Sequence, residues 1–105
     1  MSLKKIQDDV DKWTSQFTPQ YWPPYEILAR LTEETGELAR EVNHLYGIKK
    51  KKDSEQKNSL GQELSDIVFT VVCMANSQGI DLSEEWKQMV DKKLYGRDND
   101  RYEKK

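Results

Sequence analysis

Apolar residues recur along this chain at three- and four-residue spacing, with no sustained alternation of period two, so the pattern predicts helices and no strands. Leu3, Ile6, Val10, Trp13 and Phe17 form a first stripe and predict a helix from about Ser2 to Phe17. The stretch 18-TPQYWPPY-25 interrupts it, because Pro23 and Pro24 cannot occupy a helix interior, whereas Pro24 is suited to the first position of the next helix. That second helix carries Ile27, Leu28, Leu31, Leu38, Val42 and Leu45 and is predicted to stop near Gly47. A polar, lysine-rich connection covers about residues 48–58. The capping box 59-SLGQ-62 then announces a third helix through Leu64, Ile67, Val68, Val71, Val72 and Ala75 to Gly79. A further cap, 81-DLSE-84, opens a fourth helix bearing Trp86, Met89 or Val90, and Leu94. The pattern predicts an all-α antiparallel bundle of about four helices in one domain, residues 1–97, with 98–105 a frayed tail that lacks an apolar face. No internal repeat is visible.

The second stripe contains an anomaly. In 31-LTEETGELAREVNH-44 carboxylates intrude on the apolar face, and a smaller version follows in 63-ELSDIVFTVV-72. Advancing about 100° per residue, Glu34 falls within roughly 60° of the stripe centre, Glu37 lies at its edge, and Glu33 points further round towards solvent. On the third helix Glu63 flanks the stripe and Asp66 lies beside it on the same flank. Asp8 and Asp11 share the i,i+3 spacing, yet Asp8 faces away from Leu3, Ile6 and Val10, so that pair reads as solvated surface. An unpaired buried carboxylate is costly and is normally protonated, paired with a cation or bound to a metal. Arg30 and Arg40 stand near enough to pair with Glu34 or Glu37, which keeps an interhelical salt-bridge network as one reading.

Composition sharpens this picture. The chain has 105 residues, 35% hydrophobic and 34% charged, a thin apolar supply for one core, so self-association is expected. A net charge of −2 argues against a general nucleic-acid or membrane-surface binder, and the run 49-KKKK-52 reads as a solvated loop. The apolar run 67-IVFTVVCMA-75 is far short of a bilayer span, and no secretory signal pattern opens the chain. Cys73 is the one cysteine, which excludes an internal disulfide, reads as a small core hydrophobe and fits a cytoplasmic setting.

Four carboxylates from two facing helices make a pocket of hard oxygen ligands, suited to Mg²⁺ or Mn²⁺ with water and substrate phosphate. His44, the single histidine, excludes a di-iron site built on paired Glu-x-x-His motifs and a Cys/His zinc site, and reads as a helix-end or interface residue. No nucleophile motif accompanies it.

These residues resemble a known family. Glu33-Glu34-x-x-Glu37 followed by Glu63-x-x-Asp66 is similar to the EExxE…ExxD signature of the MazG-type nucleotide pyrophosphohydrolases, an all-α superfamily. The contexts 31-LTEETGEL-38, 63-ELSDIV-68 and 78-QGIDL-82 resemble that family over roughly residues 20–97, and 41-EVNHLYG-47 is most like its short YpjD-like branch.

The resemblance implies that Glu34, Glu37, Glu63 and Asp66 hold Mg²⁺, and that Glu33 serves as an outer-shell ligand or as base for the attacking water. It implies cleavage of nucleoside triphosphates between the α and β phosphates, giving a monophosphate and pyrophosphate. It also implies a basic pair near the phosphates, matched by Lys93 and Arg97, though such a pair equally suits a helix C-terminus. Trp22 or Tyr25 is a candidate to stack on the base and Asn76 to read its edge. Family members assemble as dimers or tetramers, so a homo-oligomer is expected, with no membrane and no stable nucleic-acid partner. Two alternatives remain: a non-catalytic helical interaction module with salt-bridged carboxylates, and a phosphoribosyl-ATP pyrophosphohydrolase. The long lysine-rich connection departs from the family pattern, and no segment specifies one base.

Overall fold

The computed structural model describes residues 1–48 and 60–105, whose regular structure is all helical, with no strand among them. Helix α1 spans Leu3–Thr14, α2 Pro24–Tyr46, α3 Leu60–Ser77 and α4 Leu82–Gln88, and a π-helical segment, Met89–Asp98, prolongs α4. The lysine run 49–52 and the capping serine at 59 lie outside the described residues.

Local chemistry sets the boundaries. Ser2 caps α1 by accepting from the Lys5 amide, and Asp81 caps α4 by accepting from the Ser83 and Glu84 amides. Pro24 opens α2 as its first residue. Helix α1 ends at Thr14, three residues short of the expected Phe17. There the Gln16 and Phe17 amides turn to the tighter carbonyls of Trp13 and Thr14, and the Ser15 and Gln16 side chains cap the last carbonyls. At the end of α3, Gly79 takes φ +67°, a left-handed conformation that lets the Ile80 amide reach back to the Ala75 carbonyl. Gly47 ends α2 by a different route. Its backbone is extended, but a Cβ there would stand 2.6 Å from the Asn43 carbonyl oxygen. The wider winding after Gln88 departs from the α-helix expected through Arg97, a distinction that an apolar period alone does not carry.

Helices α2 and α3 form the central pair, α1 packs on α3, and α4 leans on α1. The central pair is antiparallel: Glu63, early in α3, meets Glu34 and Glu37, while Phe69 and Cys73 stand opposite Ile27 and Arg30. The buried apolar core of the described residues is small, consisting of Val10, Ile27, Val72 and Ala75.

The face that α2 buries explains the carboxylate anomaly. Its buried residues, Ile27, Glu34 and Glu41, recur at heptad spacing along the line against α3, and two of the three are acids. Leu28 and Val42, which belong to the predicted stripe, lie around the helix from that line and remain exposed. On α3 the same division recurs, with Glu63 and Thr70 buried and Leu64 and Val68 exposed. The apolar stripe is therefore wider than the contact made within one chain.

Candidate active site

Glu34, Glu37 and Glu63 meet where α2 crosses the first turns of α3, each offering an oxygen within 4.8 Å of the others. Glu34 and Glu63 are 2% and 3% exposed, whereas Glu37 opens to solvent. Asp66, one turn further along α3, is exposed and stands close enough that its charge acts on Glu34. Glu33 projects outward, as its place on the helix requires.

Arg30 connects these groups. Its Nη2 lies 2.6 Å from Oε1 of Glu34, and its Nη1 donates to Oε2 of Glu33 at 3.2 Å. Glu34 Oε2 remains buried with no hydrogen-bond partner among the described residues. Burial pushes the Glu34 carboxyl above its ordinary value; Arg30 draws it partly back, and the charges of Glu37, Asp66 and Glu63 push it up again. A salt-bridge network alone would satisfy its buried oxygens, and this one leaves an acceptor open. Buried carboxylates crowded to this distance are a donor set for a hard divalent cation, and an orphaned oxygen in their midst fits such an ion.

Beside the cluster lies a pocket of about 470 Å³ whose wall is mostly aromatic and aliphatic. Trp13 packs edge-on against Phe69 at a ring separation of 6.0 Å and tilts against Phe17 at 4.9 Å, with Trp22, Ile27 and Cys73 completing the apolar wall. Partial burial here pushes the Cys73 thiol up, away from reactivity. Arg30 is the charged residue of the lining, so the pocket and the carboxylates meet at its side chain. A flat ring would fit against this aromatic wall.

The structure brings some predicted residues together and leaves others apart. Trp22 lines the pocket, but Tyr25 does not and is largely exposed. Asn76 is engaged elsewhere: its amide nitrogen donates to the Gln7 carbonyl and to the Tyr21 hydroxyl, and its oxygen accepts from Gln7 Nε2. It clamps α1 to α3. Asp11, read as solvated surface, also has a structural task, accepting from the Tyr21 hydroxyl at 2.8 Å and from Gln20 Nε2 at 3.0 Å, which pins the aromatic loop to α1. Asp8 is solvated as expected, beside Lys4. Lys93 and Arg97 lie on the π-helical segment and face Asp98, whose carboxyl is held below its ordinary value by hydrogen bonds from Arg97 and Arg101, with the Lys93 charge adding. His44 is half-buried near the end of α2.

Sequence reasoning missed Trp13, Phe17 and Phe69 as one pocket and Glu41 as a buried acid. The signal for Glu41 was its heptad spacing from Glu34. Nothing in the pattern separates a pocket-lining tryptophan from a core one.

Comparison with known proteins bears directly on this site. The MazG nucleotide pyrophosphohydrolase domain matches residues 23–102. YpjD, an uncharacterized protein of Bacillus subtilis (strain 168), is 48% identical over 104 residues, covering 99% of this chain and 93% of that protein. YvdC from the same organism, also uncharacterized, is 32% identical over 95 residues, covering 80% of this chain and 89% of its own length. The crystal structure of YPJD from Bacillus subtilis superposes with a TM-score of 0.78 at 46% identity, over 89% of this chain and 95% of that one. The crystal structure of a Bacillus-conserved MazG protein, described as a nucleotide pyrophosphohydrolase, gives a TM-score of 0.75 at 42% identity, over 89% of each chain.

Proposed function

The chain belongs to the MazG nucleotide pyrophosphohydrolase family, and from that membership we propose that it is an Mg²⁺-dependent enzyme cleaving ribo- or deoxyribonucleoside triphosphates between the α and β phosphates. The observation that carries the metal-dependent reading is the meeting of Glu34, Glu37 and Glu63 around a buried carboxylate oxygen with no hydrogen-bond partner among the described residues.

Glu34, Glu37, Glu63 and Asp66 would hold the divalent ion, with Mn²⁺ a substitute. When bound, the ion supplies charge neutralisation and polarisation of the phosphate chain. The chain's own groups do the rest. The aromatic pocket takes the base, since stacking on Trp13 and Phe69 suits any base and the lining offers few polar atoms to choose between them. Glu33, exposed beside the cluster, accepts the proton of the attacking water. The water oxygen bonds to phosphorus, the bond to the bridging oxygen breaks, and pyrophosphate departs with that electron pair.

The assembled form is proposed to be a homo-oligomer, a dimer or a tetramer. Leu28 and Val42 on α2 and Leu64 and Val68 on α3 leave apolar surface that a second chain would cover. A neighbouring chain could also bring Lys93 and Arg97 towards the phosphates.

Pyrophosphate release from each ribo- and deoxyribonucleoside triphosphate, with Mg²⁺ and with chelator, tests the activity. Metal-dependent release from at least one nucleotide is expected, and none from any would refute the reading. Release confined to phosphoribosyl-ATP would move the enzyme to that substrate. A gain in stability of about 2.7 kcal/mol is expected by mass action at a hundredfold excess of Mg²⁺ or Mn²⁺ over Kd, read as a rise in Tm, and its absence would favour a non-catalytic module.

A further inference from the structure

We propose that Arg30 is a nucleotide-binding residue that grips the α-phosphate, and that it is released for this role when the divalent ion takes Glu34. The inference rests on the nucleotide reading above and adds a residue and a contact to it.

The argument begins with position. Arg30 belongs to two sites at once, lining the aromatic pocket and contacting the carboxylate cluster through Glu33 and Glu34. A nucleotide with its base against Trp13 and Phe69 and its outer phosphates at the carboxylates must pass its sugar and α-phosphate across the boundary between them. Arg30 stands at that boundary. It is also the charged residue among those described as lining the pocket, so it is the group there able to meet an anion.

Chemistry agrees with position. A guanidinium presents five N–H donors in a planar fork that matches phosphate oxygens in pairs. In the absence of substrate that fork spans Glu33 and Glu34. A divalent ion on the open oxygen of Glu34 draws off the charge that holds Arg30, and the weakened pair lets the guanidinium turn its donors towards the incoming phosphate. Its side chain is 46% exposed, so it can turn without disturbing a packed core. The ion pair therefore keeps Glu34 neutralised before loading and hands a cation to the substrate on loading.

The α-phosphate stays with the monophosphate product and is absent from pyrophosphate, which makes the contact separable. Calorimetric titrations of wild type, Arg30→Met and Arg30→Lys would use Mn²⁺ alone, a panel of nucleoside monophosphates at saturating Mn²⁺, and pyrophosphate at saturating Mn²⁺, with circular dichroism as a folding check. Arg30→Met should weaken monophosphate binding by about tenfold or more, the scale of a lost charge-assisted pair. It should leave pyrophosphate within about twofold and bind Mn²⁺ alone more tightly, because the competing cation is gone. Arg30→Lys, keeping charge without the fork, should fall between the two for monophosphate, and it carries the same comparison if Arg30→Met does not fold. Monophosphate affinity unchanged in both variants, equal weakening of pyrophosphate, or weaker Mn²⁺ binding in Arg30→Met would each overturn the inference. A wild type that binds no monophosphate would overturn the nucleotide reading as well, which separates the two failures.

Discussion

Arg30 Nη2 lies 2.6 Å from Glu34 Oε1, one turn along α2, and this pair holds in place a carboxylate that is 2% exposed. The pairing is one-sided. One oxygen of Glu34 meets the guanidinium while the other is buried with no hydrogen-bond partner among the described residues. A purely structural ion pair would be expected to satisfy both oxygens of so buried an acid. The asymmetry leaves the cluster stabilised enough to fold and still able to take a second cation.

Removing any of the cluster's acids should therefore separate activity from folding. Glu34→Gln, Glu37→Gln, Glu63→Gln and Asp66→Asn are each expected to lower kcat/KM by about a hundredfold or more. Circular dichroism should report intact helices, with metal-free stability held or raised, because a repelling charge has gone. Asp8→Asn, solvated beside Lys4, should leave activity within about twofold. A loss there matching that of Glu34→Gln would remove the argument from helix facing.

The raised carboxyl of Glu34 gives a pH dependence whose sign is fixed. Its proton is held more tightly in the folded chain than at the ordinary value of 4.5 in the unfolded one. The stabilisation this confers is fully present below that value and is lost as pH rises through the folded-state value. In metal-free protein, Glu34→Gln should thus melt above wild type near neutrality, and the gap in Tm should narrow as pH falls towards the ordinary glutamate range. A gap that widens on acidification would contradict the assignment.

Asn76 and Trp13 should behave oppositely. Asn76→Ala breaks the clamp to Gln7 and Tyr21 and is expected to cost about 1–3 kcal/mol of stability in urea denaturation, with KM of the folded enzyme little changed. Trp13, 54% exposed, contributes less to the core, so Trp13→Ala should spare stability while raising KM for nucleotide about tenfold, the scale of one lost base stack. An Asn76→Ala variant of normal stability but altered base preference would restore Asn76 as a reader of the base.

The uncovered apolar faces of α2 and α3 predict assembly. Light scattering over a dilution series, paired with turnover, should find a dimer or larger species whose dissociation and loss of activity coincide. A fully active monomer at 12.4 kDa would exclude the coupling.

Much of this was legible one-dimensionally because it is local. Helix type follows from apolar spacing, Pro24 and Gly79 mark ends through their own backbone limits, and Asp81 caps through a side chain a few residues from its donors. The acids followed from periodicity too. On one helix the turn angle alone sends Glu34 inward and Glu33 outward, and the order of two acidic motifs was specific enough to suggest the family.

What chain order alone determined was therefore the helices, their caps and the inward carboxylates. Which residues from different helices would meet belonged to the tertiary structure. Apolar spacing marks Trp13, Phe17 and Phe69 as stripe residues, but only the packing of α1 on α3 turns them into a pocket wall. It likewise takes Asn76 from the base and commits it to Gln7 and Tyr21, both distant in sequence. Arg30 shows the division within one side chain. Its pairing with Glu33 and Glu34 is a helix-face contact readable from i,i+3 and i,i+4 spacing, whereas its place on the pocket wall depends on α3 lying across α2. Local rules act through bonds and turn angles that one segment carries by itself; a contact between segments depends on how the whole chain satisfies its buried faces together.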